Sequence, residues 1–164
     1  MNISTHAFAA ALAVLPTSMS AMAADHQWKT YTNVRFGYSI CYPADLLAAQ
    51  PEADNGDGRV FSAKSGAELR VWGGYNVMEQ TADAIVSDLD SPDAVVSYHR
   101  AKENWAVISG RENGRVFYAK ALLRPNGQDD IDSLHVFRLT YPLDEAKTYE
   151  AVVARLATCF RPTG

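Results

Sequence analysis

Four apolar-rich segments follow one another between residues 94 and 141, with little chain spent between them. They are Ala94–Lys102, Trp105–Gly110, Arg115–Leu123 and Ser133–Tyr141. The first two joins are Glu103-Asn104 and Arg111-Glu112-Asn113-Gly114, and the third runs from Arg124 to Asp132. Joins as short as the first two leave room for a hairpin and none for a crossover, so the neighbours must run antiparallel. Asn113-Gly114 strengthens the second join, because both residues tolerate positive φ. Val116, Tyr118, Lys120 and Leu122 alternate with Phe117, Ala119, Ala121 and Leu123, which predicts a strand covered on both faces. In the first segment Val95, Ser97 and His99 alternate with Val96, Tyr98 and Arg100, which predicts one less buried face.

The rest of the chain is arranged around this run. Trp28 to Tyr42 reads as an aromatic lead-in, a Phe36-Gly37-Tyr38 turn and a strand that Pro43 stops. Residues 51–58 form a polar loop of turn formers. Arg59–Ala63 and Glu68–Trp72, joined through Lys64-Ser65-Gly66, read as a hairpin. Ala82, Ile85, Val86 and Leu89 fall on one helical face, with Thr81 as the cap and Asp83 in the first turn. Tyr149, Val152, Val153 and Leu156 make a second such face on a helix from Asp144 to Ala157. Arg161 to Gly164 reads as a frayed tail. The expectation is one α+β domain, an antiparallel sheet flanked by two main helices, over residues 24–164.

One group shares this arrangement. Trp28, Tyr31-Thr32-Asn33 and Phe36-Gly37-Tyr38-Ser39-Ile40-Cys41-Tyr42-Pro43 resemble the opening of PsbP-like domains. Val136 to Pro142, followed by an amphipathic helix and Cys159-Phe160, is similar to the closing strand, Tyr-Pro and helix of the same group. The resemblance implies an α/β/α sandwich, and a role as a binding or accessory module in a larger assembly. Its motifs are those of packing and turns, so it assigns no catalytic residue.

Residues 1–23 read as an address. Ala7 to Leu15 is an unbroken apolar run of signal-peptide length, Pro16 ends it, and Ala21-Met22-Ala23 is the small-x-small pattern before a cut. The run is too short to cross about 30 Å of hydrocarbon. No Lys or Arg precedes it, which departs from the usual pattern. No Cys follows the cut, so a lipid anchor is not expected, and no later segment has the length of a membrane span. The expected location is the periplasm or the medium. Cys41 and Cys159 are the two cysteines, and in an oxidising compartment they are expected to pair. No CxxC motif or basic neighbour favours a reactive thiol.

Chemistry is harder to find. With 15 basic and 19 acidic residues the net charge is −4, which gives no support to nucleic-acid binding. His99 and His135 lie on expected strands and could share a face, but no HxH or HExxH spacing accompanies them. Asp54, Asp57, Asp129, Asp130 and Asp132 lack the spacing of a calcium loop. No metal or cofactor is expected. GxSxG and GxGxxG are absent. The aromatics Trp72, Tyr75, Tyr98 and Trp105 are the candidate binding patch, since exposed aromatics concentrate binding energy. The expected function is a non-enzymatic binding or accessory module with a protein partner in the cell envelope or medium. Two alternatives stand beside it. One is a small hydrolase using His99 or His135 with a loop Asp. The other is a small-molecule carrier with an apolar pocket between sheet and helix.

Overall fold

The computed structural model describes residues 25–125 and 131–163. The expected signal segment, and Asp129 and Asp130, lie outside the described residues.

Ten strands and two α-helices follow in order among the described residues. They are β1 (Trp28–Asn33), β2 (Tyr38–Pro43), β3 (Ala48–Glu52), β4 (Gly58–Ser62), β5 (Glu68–Tyr75), α1 (Ala82–Ser87), β6 (Val95–Lys102), β7 (Trp105–Glu112), β8 (Arg115–Arg124), β9 (Ser133–Pro142), α2 (Ala146–Cys159) and β10 (Arg161–Pro162). A 3-10 turn over Leu143–Glu145 leads into α2. The run of four expected strands is present as β6 to β9, paired antiparallel throughout. Asn113 and Gly114 both take positive φ in the β7–β8 turn, as a tight hairpin requires.

The expected α+β sandwich with two main helices is corrected here. The described residues are mostly strand, arranged in two sheets, and α2 is the one substantial helix among them. Seven strands form a large sheet in the order β3-β4-β5-β9-β8-β7-β6, and three form a small sheet in the order β1-β2-β10. Three segments account for the extra strands, one of them β3, which overlaps the expected loop at Pro51 and Glu52. The aromatic lead-in is itself a strand, and Arg161 and Pro162, read as a frayed tail, pair with Ser39 and Tyr38. The helix expected from Ala82 to Leu89 ends at Ser87, so α1 is under two turns long. Thr81 caps it by accepting from the Ala84 amide at 3.1 Å.

The large sheet has an inner and an outer face. On the inner face Leu69, Val71, Phe137, Leu139 and Tyr141 meet the small sheet and α2 through Tyr38, Ile40, Tyr149, Val152, Leu156 and Phe160. On the outer face Ala106, Ile108, Phe117, Ala119 and Ala121 meet α1 through Ala82, Ile85 and Val86. Cys41 of β2 and Cys159 at the end of α2 form a disulfide across 118 residues of chain. Among the described residues no helix is long and apolar enough to cross a membrane.

Candidate functional site

The residues that carry the family-like opening hold a turn in place. Asn33 is buried, and its side-chain oxygen accepts from the Phe36 amide at 2.8 Å. Its amide group donates to the Tyr31 hydroxyl and to the Gly56 carbonyl, at 3.0 and 2.9 Å. Tyr38 donates to the Asp57 carbonyl at 2.9 Å, and burial pushes its phenol well above the usual range. This turn presses onto β5 at Gly73. A Cβ there would sit 2.5 Å from that of Phe36, so only glycine admits the contact. Asn33, Tyr38 and Gly73 are therefore structural residues.

His135 belongs to the same cluster. It is buried on the inner face, and its Nε2 donates to the Phe36 carbonyl at 2.7 Å. Its Nδ1 has no partner, and burial lowers its pKa from the usual value. His99 projects from the outer face of β6, with its Nε2 2.6 Å from Asp83 of α1. Register places His99 opposite Ile108, and His135 opposite Gly73 and Leu122. The two histidines thus lie on opposite faces, and the expectation that they might share one is corrected. Asp83, the partner that His99 finds, is on a helix. Among the described residues no three His, Cys, Asp or Glu side chains gather as a metal site. The space between sheet and α2, where a carrier would open, is filled by Phe137, Leu139, Tyr149 and Leu156.

The four aromatics of the expected patch do not form one surface. Trp72 is on the outer face, partly buried against the α1 core. Tyr75, Tyr98 and Trp105 are on the inner face, beyond the cover of the small sheet and α2. Tyr98 is half-exposed on β6, a strand whose eight residues are all exposed. Below it Tyr118 stacks on Phe137, and burial with the neighbouring Tyr98 pushes its phenol up to about 12. Arg100 lies over the Trp105 ring at 5.8 Å. Tyr75 stands against Phe36 at the same end of the sheet as Trp105, three strand spacings or about 14 Å across.

That end carries two residues the sequence reading missed. Val77 is 66% and Met78 77% exposed, two and three places after Tyr75, and Ile131 is exposed as well. They are held there by Asn76, a buried side chain. Its Oδ1 accepts from the Gln80 amide at 3.0 Å and its Nδ2 donates to the Gln80 carbonyl at 2.8 Å. The Asn76 amide donates to the Asp132 carbonyl at 2.9 Å, which ties the loop to the entry of β9. Glu79, at φ +50°, closes the turn. An Asx-type pairing of Asn76 with a residue four places on is the signal that could have marked the loop as built.

No protein-family model matches the chain, and no curated protein matches it in sequence. Among solved structures it is similar to cyanobacterial PsbP (CyanoP) from Synechocystis sp. PCC 6803. The TM-score is 0.57 and the identity 17%, covering 91% of this chain and 98% of that one. It is also similar to the Ran-binding protein Mog1p from Saccharomyces cerevisiae. There the TM-score is 0.51 and the identity 11%, covering 84% of this chain and 96% of that one. At these identities the likeness is one of fold, and the fold is PsbP-like.

Proposed function

We propose that the chain is a non-enzymatic module that binds a protein partner, using the loop end of the large sheet. The observation that supports this most is the Asn76-held loop, which keeps Val77 and Met78 in solvent beside Tyr75. Large apolar side chains fixed in water cost free energy unless a partner covers them. A pre-ordered loop also loses little entropy on binding. Tyr98 and Trp105 extend the surface along β6 and β7. His135 meets the Phe36 carbonyl rather than a carboxylate, and His99 pairs with Asp83 of α1 rather than with a loop Asp. The fold-level likeness to a Ran-binding protein agrees with a binding role and names no partner for this chain.

Export belongs to the same proposal. The apolar run before Ala23 and a disulfide between the two cysteines both suit a chain delivered to the periplasm or the medium.

The test is a pull-down with the tagged chain beside a Val77→Ser/Met78→Ser variant. Both side chains are exposed, so the variant should unfold within a few degrees of the parent. It should lose the captured partner. Equal capture by both proteins would refute the loop end as the contact surface.

A further inference from the structure

The large sheet ends in two edges of different kinds. In β3 every residue is exposed, Pro51 removes a donor, and the pairing with β4 is irregular between Ala49 and Glu52. β6, at the other end, is also exposed throughout, but it runs for 8 residues and has no proline. Its irregularity lies between Val96 and Tyr98. From Tyr98 to Lys102 it pairs with Ser109 to Trp105 without a break. That stretch spans about 16 Å. Its free side offers alternate N–H and C=O groups to solvent, a template for one more strand.

The side chains select what such a strand would carry. Register puts Tyr98, Arg100 and Lys102 on the inner face, together with Arg111 of β7 and Lys120 of β8. No Asp or Glu stands at an inner-facing position of these strands, in a chain whose net charge is −4. Glu103, the nearest acid along the chain, lies in the turn to β7. Lys120 donates to the Ala157 carbonyl at 2.6 Å. Among the described residues no carboxylate pairs with Arg100 or Lys102. On the outer face His99 already has Asp83. The unmet charge of the edge is therefore positive and lies on its inner side.

The same charges argue against a second copy of the chain. Two β6 strands laid side by side would bring the cations of both onto one face with no acid between them, and like charges across a strand pair repel. We propose that β6 takes an extended acidic segment of the partner protein as a further strand, its alternate carboxylates facing Arg100 and Lys102. Main-chain hydrogen bonds would hold the segment and the carboxylates would select it. This rests on the protein-binding reading above. Lys102 stands opposite Trp105, at the end of the sheet that carries Tyr75 and its loop, so the segment would run into the surface of Val77 and Met78.

The test is an NMR titration of the full chain with a blocked peptide that alternates Glu and Val. Alternate amides from Tyr98 to Lys102 should shift and exchange more slowly, while those of β3 stay in place. A peptide alternating Lys and Val should leave them unmoved. Arg100→Gln/Lys102→Gln should weaken the Glu peptide about fivefold, the worth of two exposed ion pairs, and leave thermal stability unchanged. Two N-methylated forms separate strand addition from plain attraction. Methylating the Glu amides blocks one edge of the peptide and methylating the Val amides blocks the other, with the charge untouched. One form should bind as the parent peptide does and the other should not. An equal response to the two forms overturns the proposal. So does the absence of any shift at about 2 mM, where a millimolar constant would show. Concentration-dependent pairing of the chain through β6 without peptide would make a second copy the occupant and overturn it too. The pull-down separates this proposal from the loop reading. Capture lost in Val77→Ser/Met78→Ser but kept in Arg100→Glu/Lys102→Glu overturns the added strand and leaves the loop end standing. Capture kept in both variants removes the loop reading as well.

Discussion

Phe137 and Ile108 are two strands apart in one sheet, and the layers that cover them are very different. Above Phe137 lie Phe160 and the disulfide-tied pair of β2 and α2, and Tyr118 stands beside it in the sheet, with ring centroids 5.1 Å to Phe160 and 5.7 Å to Tyr118. Above Ile108 lies a helix of six residues, which sets Ala82, Ile85 and Val86 on a sheet surface made largely of Ala106, Ala119 and Ala121. Burial energy scales with apolar area, so the inner face at β5 and β9 carries most of the stability. The outer face at β6 to β8 is thin by comparison. Thin regions open first, and they are where binding surfaces can change without unfolding the domain.

Removing the disulfide should break this contrast most. Cys41→Ser/Cys159→Ser frees a loop of 118 residues and should lower stability by about 4–5 kcal/mol, read from urea unfolding. The loss should appear as earlier global unfolding, because the bond joins the thick side. A drop under about 1 kcal/mol would mean that the aromatic core alone fixes that side.

Paired core truncations come next. Phe137→Ala should cost about 3–4 kcal/mol and Ile85→Ala about 2. Hydrogen exchange should separate them further. Phe137→Ala should speed exchange across both sheets, while Ile85→Ala should speed it in α1 and β6 and leave β5 and β9 protected. Equal spread from both variants would show that the two faces unfold as one unit.

The smallest effect is one of pH. Burial depresses the His135 pKa in the folded chain, so the unfolded state binds its proton more readily. Stability from the neutral ring is complete above the unfolded value of about 6.5 and falls as pH drops from there toward the folded value. His135→Gln should flatten this acid limb in urea titrations between about pH 7.5 and 5. If the limb is unchanged in His135→Gln, the sensitivity does not come from the thick side.

The sequence made the thin side more legible than the thick one. Strands β6 to β9 are joined locally, and Asn113-Gly114 states the turn in two residues. The small sheet is the opposite case. β10 reaches β2 from the far end of the chain, and no local pattern in Arg161-Pro162 announces a partner at Ser39. β3 was missed, and its last two residues were read as loop, because it is an exposed edge containing Pro51, without alternation. α1 was overdrawn because Leu89 continues the helical spacing, although its amide bonds only to Val86 in a closing turn. Of the candidate site, the aromatics could be named from the sequence, yet their division between two faces depended on register. Val77 and Met78 look like ordinary apolar residues until Asn76 is seen to hold them outward.

The meeting of β2 with β10, beside the disulfide, also sets a schedule. A chain made from its N-terminus has β1 and β2 available early, but the third strand of that sheet and the second cysteine follow every strand of the large sheet. Closing so long a loop is slow relative to forming the β6–β9 hairpins. The hairpins can therefore assemble while the chain is still emerging, and the inner core is sealed only when the final turn of α2 arrives. Until then the inner core stays unsealed, and afterwards β2 and α2 are held to each other by a covalent bond.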